Sequence, residues 1–225
     1  MRDRFLAVAL ALATALGTTA APAQPMLYEQ RLPEGTGFVR LVNATPGPIT
    51  IKPDYDEATT LGTNGAERVS PYFVAEGLAD RAVRLQVTAG GRTGIMEVRL
   101  QGGQLNVVVI RDAGDGVTAS AFQVPQRYEQ QRAVLAFFNA VPDCANGALA
   151  LEPSGGSLFS NVAPNSGQSR SVAPAAAVVR ASCAAGRAPN LDLGRLQAGG
   201  LYSVWLVAPE GRPTSFLARD TIARR

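Results

Sequence analysis

Two stretches of this chain return 96 residues later. Asn43-Ala44-Thr45-Pro46 comes back as Asn139-Ala140-Val141-Pro142, and Arg99-Leu100-Gln101-Gly102-Gly103-Gln104-Leu105 as Arg195-Leu196-Gln197-Ala198-Gly199-Gly200-Leu201. The offset is the same in both cases, so the segments between the anchors stay in step. Each anchor borders an apolar, strand-like run: 38–42 and 134–138, then 105–110 and 201–207. Solenoid repeats have periods of roughly 20–50 residues. A longer period points to one domain used twice.

The first 23 residues read as separate from that fold. Arg2 and Arg4 open the chain, 5–16 is apolar, and Ala21-Pro22-Ala23 is a small-residue cleavage signal. That order is expected of a secretory signal peptide cut before Gln24, leaving a periplasmic protein. The alternative, a membrane anchor, is disfavoured because the apolar run falls short of the ~20 residues a spanning helix needs.

The remainder carries many turn residues between short apolar segments, with Gly 23 and Pro 15 in the whole chain. Strands are expected near 37–43, 48–52, 68–75, 81–88, 94–100, 104–111 and 117–124. They return near 133–139, 147–151, 170–182, 189–194, 201–207 and 214–219. Residues 54–67 and 154–168 read as loops, being poor in apolar residues or rich in Gly, Ser and Asn. About seven short strands in the first half, six of them returning in the second, is the pattern of a β-sandwich. The expectation is an all-β chain of two tandem, immunoglobulin-like β-sandwich domains, 24–125 and 133–225, joined by a polar linker at 126–132. The 105–110 run is apolar on both faces (Leu105, Val107 and Val109 one way, Asn106, Val108 and Ile110 the other). It fits a strand buried on both sides, or a sheet whose outer face packs on something else. Trp205 in the returning run reads as a core residue, with a surface platform for sugar stacking as the alternative.

Both cysteines, Cys144 and Cys183, fall in the second half. In an exported protein they are expected to form a disulfide, a free or redox-active pair being the alternative. The bridge would close a loop of about 40 residues, worth roughly 4 kcal/mol in the chain-entropy model. Pro48 and Val87 occupy the matching offsets of the first half, so the bridge is an addition and not a requirement of the fold.

Composition also narrows the chemistry. The chain has no histidine. That removes Ser-His-Asp and Cys-His catalysis, the usual general base near neutral pH, and His-based zinc sites. No P-loop and no Gly-x-Ser-x-Gly elbow is present. The net charge of +3 is small and the basic residues are scattered, so no nucleic-acid footprint stands out. Asp54, Asp56 and Glu57, or Asp112 and Asp115, could be combined into an acid pair or calcium site, but turns favour Asp in any case and the spacing is not that of an EF-hand. The expectation is a non-enzyme with no catalytic residues, no metal and no cofactor.

The start of the mature chain adds a resemblance. Leu27-Tyr28, Pro33, Gly35, Phe38-Val39-Arg40 and Asn43-Ala44 resemble the opening of the AlgF family, accessory proteins of bacterial alginate O-acetylation. That likeness implies two tandem β-sandwiches in the periplasm. It also implies a non-catalytic adaptor that holds periplasmic acetyltransferases and a membrane O-acyltransferase apparatus together while an exported polysaccharide is modified. Contact with the polysaccharide itself is a further expectation. Tyr28, Phe38 and Arg40 are the candidate partner surface. The readings that compete are a periplasmic carbohydrate-binding protein, weakened by an aromatic content of only 6%, and a pilus-type chaperone or adhesion subunit.

Overall fold

A computed structural model describes residues 35–78, 82–114, 116–124, 129–184 and 186–223. The described residues all fall in one compact unit. The first half runs β1 (Gly37–Asn43), β2 (Ile49–Pro53), β3 (Thr59–Leu61), β4 (Phe73–Ala75), β5 (Ala82–Ala89), β6 (Arg92–Arg99), β7 (Leu105–Ala113) and β8 (Gly116–Val124). The second runs β9 (Ala133–Asn139), β10 (Gly147–Glu152), β11 (Ser157–Val162), β12 (Ser166–Val172), β13 (Ala176–Cys183), β14 (Gly186–Arg187), β15 (Leu191–Arg195), β16 (Leu201–Val207) and β17 (Thr214–Arg219). Among the described residues, no helix is long and apolar enough to cross a membrane. The signal-peptide segment lies outside the described residues, as do 125–128 of the junction.

The protein is all-β, and its strands form four sheets: β4-β1-β7-β8 and β3-β2-β5-β6, then β12-β9-β16-β17 and β11-β10-β13-β14, with β15 also paired to β13. Within the first pair, Val39, Leu41, Val108 and Ile110 face Ile49, Ile51, Val83 and Leu85 in one core. Within the second, Leu135, Phe137, Val204 and Leu206 face Leu149, Val179, Ala181 and Leu193. Burying a side chain of this size contributes about 1.5–3 kcal/mol, so each sandwich has its own apolar interior.

The halves share the order of their central strands, and there the register matches as well; the edge strands pair in shifted registers. β1 runs parallel to β7 with Phe38 opposite Leu105, and β9 runs parallel to β16 with Val134 opposite Leu201. The 96-residue offset carries one pair onto the other. It also carries Lys52–Gln86 onto Ala148–Ser182 and Val107–Phe122 onto Ser203–Ala218.

Both repeated motifs close turns. Asn43 is fully buried; its Nδ2 donates to the carbonyls of Gly47 and Gly62, and its Oδ1 accepts from the amide and hydroxyl of Thr45. Asn139 does the same work on the carbonyls of Cys144 and Val162 and the amide of Val141. A short apolar strand followed by a turn needs one side chain that both donates and accepts, which an amide provides. In the Arg-Leu-Gln turn the amide of Gln101 donates to Asn106 Oδ1, and that of Gln197 to the hydroxyl of Tyr202. Asn106 and Tyr202 occupy matching positions and serve one purpose with different chemistry.

Several segments differ from expectation. The 54–67 loop contains β3 and a 3-10 turn at Gly65–Arg68, and the 154–168 loop contains β11 and the start of β12. The single strand expected over 170–182 is divided between β12 and β13, which belong to opposite sheets. β3, β11 and β12 lie at sheet edges, where backbone pairing is to one neighbour and a few apolar residues (Leu61 of β3, Phe159 and Val162 of β11, Val172 of β12) reach the cores between polar ones. Asn165, at φ 51°, turns the chain between β11 and β12.

Candidate functional site: the junction of the two sandwiches

The two inner sheets, β4-β1-β7-β8 and β12-β9-β16-β17, pack face to face through a third apolar cluster. Val42, Val107, Val109 and Phe122 of the first meet Ala136, Phe138, Trp205, Val207 and Phe216 of the second. This explains the 105–110 run: Val108 and Ile110 fill the first sandwich, while Val107 and Val109 face its neighbour. Strand alternation assigns the rest, since residues two apart share a face. Trp205 is fully buried and stacks on Phe138, ring centroids 4.3 Å apart. It is a core residue, but of the junction and not of the second sandwich. The Phe138 ring in turn lies over Gly167, where a Cβ would come within 2.2 Å of it.

The halves contribute unlike chemistry at matching positions. Where the second half has Ala136, Phe138, Trp205 and Val207, the first has Arg40, Val42, Val109 and Arg111. The two arginines anchor the junction. Arg40, 1% exposed, donates from Nη1 to Asp220 Oδ1 at 2.5 Å and to Ser203 Oγ at 3.4 Å, and its guanidinium lies 4.1 Å from the centre of the Tyr72 ring. Ser203 completes the network by donating to Asp220 Oδ1 at 2.6 Å and accepting from Trp205 Nε1 at 2.9 Å. Among the described residues, Arg40 Nε meets no acceptor. Burial pushes the Tyr72 hydroxyl up to about 12, against a partial opposing effect of the Arg40 charge. The backbone closes the same corner: Tyr72 donates to the Thr221 carbonyl and accepts from the Ala223 amide, each at 2.8 Å.

Arg111 donates from Nε to the Ala140 carbonyl at 2.7 Å, from Nη1 to Ser120 Oγ at 2.5 Å and from Nη2 to Asn165 Oδ1. Burial lowers its pKa to about 10. Removal of the charge from water is unfavourable, and three acceptors, two of them from the second sandwich, offset that cost.

Beside this junction lies a cleft of about 540 Å³, lined by Phe38, Tyr72, Leu105, Val124, Phe138, Leu201 and Ile222, with Asp220 in its wall. Its size and largely apolar lining are those of a binding cleft. Ile222 is 56% exposed at its mouth.

The three candidate partner residues therefore separate. Phe38 is half-buried and lines the cleft. Arg40 is not at a surface: the second sandwich covers it, and its charge is matched inside the chain by Asp220. Tyr28 lies outside the described residues. Sequence reasoning missed Tyr72, Arg111, Ser203 and Asp220. The available signal was an arginine at an inward-facing step of an otherwise apolar strand, in 38–42 and again at the end of 105–111.

Cys144 and Cys183 are brought together, as hydrogen-bonded free thiols and not as the expected bridge. The fold supplies the proximity, whereas the bond requires an external acceptor for two electrons. Among the described residues, no group of three or more His, Cys, Asp or Glu side chains is placed to hold a metal ion. The sequence matches no family model and no curated protein.

Proposed function

We propose that this protein is a non-catalytic periplasmic adaptor in the O-acetylation of an exported, alginate-like polysaccharide, binding acetyl-transfer enzymes and keeping them close. The observation that carries the reading is the AlgF-like series Leu27-Tyr28, Phe38-Val39-Arg40 and Asn43-Ala44 at the head of a chain of two β-sandwiches. Its support from chemistry is that a chain without histidine lacks the usual base for acyl transfer, so such a chain would leave the reaction to its partners. A rigidly joined pair of sandwiches suits this role, because fixing two bound enzymes in one complex raises their effective concentration. The cleft lined by Phe38 and Ile222 is the surface most suited to a partner's apolar side chain.

The test is a deletion strain assayed for acetyl esters on the exported polymer, with the tagged chain reintroduced and its co-purifying proteins identified. The reading expects ester content to fall on deletion and recover on complementation, with an acetyl-transfer protein co-purifying. Unchanged ester content, or acetyl transfer by the purified chain alone, overturns it.

A further inference from the structure

The turn after β1 and the turn after β9 are built on matching asparagines but held by different means. In the first sandwich Thr45 Oγ1 bonds Asn43 Oδ1 and the Gly47 carbonyl, both at 2.8 Å. Arg68 then spans the turn, donating from Nη1 to the carbonyls of Asn43 at 3.0 Å and Thr45 at 2.9 Å. The second sandwich has Val141 where the first has Thr45, and a valine has no hydroxyl to offer. Cys144 occupies that turn instead. Its carbonyl accepts from Asn139 at 2.7 Å, and its thiol meets that of Cys183, the last residue of β13.

We propose that Cys144 and Cys183 are a thiol–disulfide site oxidised after folding by an external disulfide, in a fixed order with Cys183 first, and that the bridge braces the second sandwich where Thr45 and Arg68 brace the first.

The order follows from access. Cys144 is fully buried, whereas Cys183 is half-buried at the end of its strand, where it faces the two-residue β14 across a tight turn. Only the latter can meet a bulky disulfide in the folded chain. Reactivity agrees: burial, reinforced by the hydrogen bond with Cys183, pushes the Cys144 thiol up to about 12, so little of it is thiolate. In the first step the Cys183 thiolate attacks one sulfur of the external disulfide. That S–S bond breaks, one thiolate leaves and takes a proton, and a mixed disulfide remains on Cys183. In the second, Cys144 gives up its proton and its sulfur attacks Cys183 Sγ, expelling the second external thiol. The protein loses two electrons and two protons, and the external disulfide gains both. Cys144 needs no route to solvent for its reaction, because its target is already beside it.

The test uses the reduced, folded chain and oxidised glutathione, with quenched samples read by intact-mass and peptide mass spectrometry. The expected course is a transient glutathione adduct on Cys183, then loss of two hydrogens as the internal bridge forms. In Cys144→Ser the Cys183 adduct should accumulate. In Cys183→Ser, modification of Cys144 should be at least ten-fold slower than that of Cys183 in the parent, and the difference should vanish in urea. Amide exchange across 139–147 should slow on oxidation of the parent. Because the parent's adduct is mapped directly, the order is read even where a variant folds poorly. A first adduct on Cys144, equal native rates for the two thiols, or a pair that stays reduced in excess oxidised glutathione overturns the proposal. Unchanged exchange across 139–147 overturns the bracing role.

Discussion

Arg40 of the first sandwich and Asp220 of the second form a buried ion pair, Nη1 to Oδ1 2.5 Å, at side-chain exposures of 1% and 15%. Its value lies in matching: the guanidinium is stranded in an apolar junction unless the carboxylate is there. Arg40→Met or Asp220→Leu alone should each cost about 3–5 kcal/mol, since either leaves an uncompensated charge. The double variant should cost clearly less than the two together. Urea unfolding of the four proteins measures the coupling, and simple additivity would show that the pair does not act as a unit.

Trp205 is the chain's single tryptophan and sits between the sandwiches, so its emission reports on the junction. With an apolar cluster and two arginines shared across that boundary, the halves should unfold together. Tryptophan emission and far-UV circular dichroism should give one urea midpoint. Trp205→Ala, which leaves a cavity, should lower that midpoint by the equivalent of about 3–5 kcal/mol. Two separate transitions would mean that the sandwiches are thermodynamically independent.

Tyr72 links stability to alkaline pH. Its folded pKa of about 12 lies above the ordinary 10.0, with burial as the main cause. The folded chain thus holds a proton that the unfolded chain releases between these values. The resulting stabilisation is complete below pH about 10 and is lost as pH rises through about 12; two units correspond to roughly 2–3 kcal/mol. Cys144 acts in the same direction, so the comparison is with the parent: Tyr72→Phe should flatten the decline of stability over this window without abolishing it. An unchanged slope would place the phenol in a water-like setting.

Asn43 and Asn139 are tested by exchange for aspartate, which keeps the shape but cannot donate at neutral pH. Two turn carbonyls then lose their donor and face a negative charge. Asn43→Asp and Asn139→Asp should each cost about 2–4 kcal/mol by thermal or urea unfolding, on the scale of two buried groups left unpaired. A cost below ~0.5 kcal/mol would show that the repeated motif does not hold the turns.

The sequence by itself determined most of the strand plan. The repeated Asn-Ala and Arg-Leu-Gln anchors placed β1, β7, β9 and β16, because a strand's inward face must be apolar and its turn must satisfy its own backbone. The both-faces-apolar run at 105–110 even announced that its sheet would be covered. What covered it was beyond reach. Whether Arg40 meets solvent or Asp220 depends on a sheet formed far along the chain, and period-two alternation looks the same in either case. β3, β11 and β12 were missed for a related reason: an edge strand is held largely by backbone pairing to its neighbour, and its few apolar residues (Leu61, then Leu158, Phe159 and Val162, then Val172) stand among Gly, Ser, Asn and Thr that read as loop. Register decided the rest. Only the pairing of β10 with β13 sets Cys183 beside the turn of Cys144, and only the packing of the two inner sheets leaves Phe38 in the wall of a cleft.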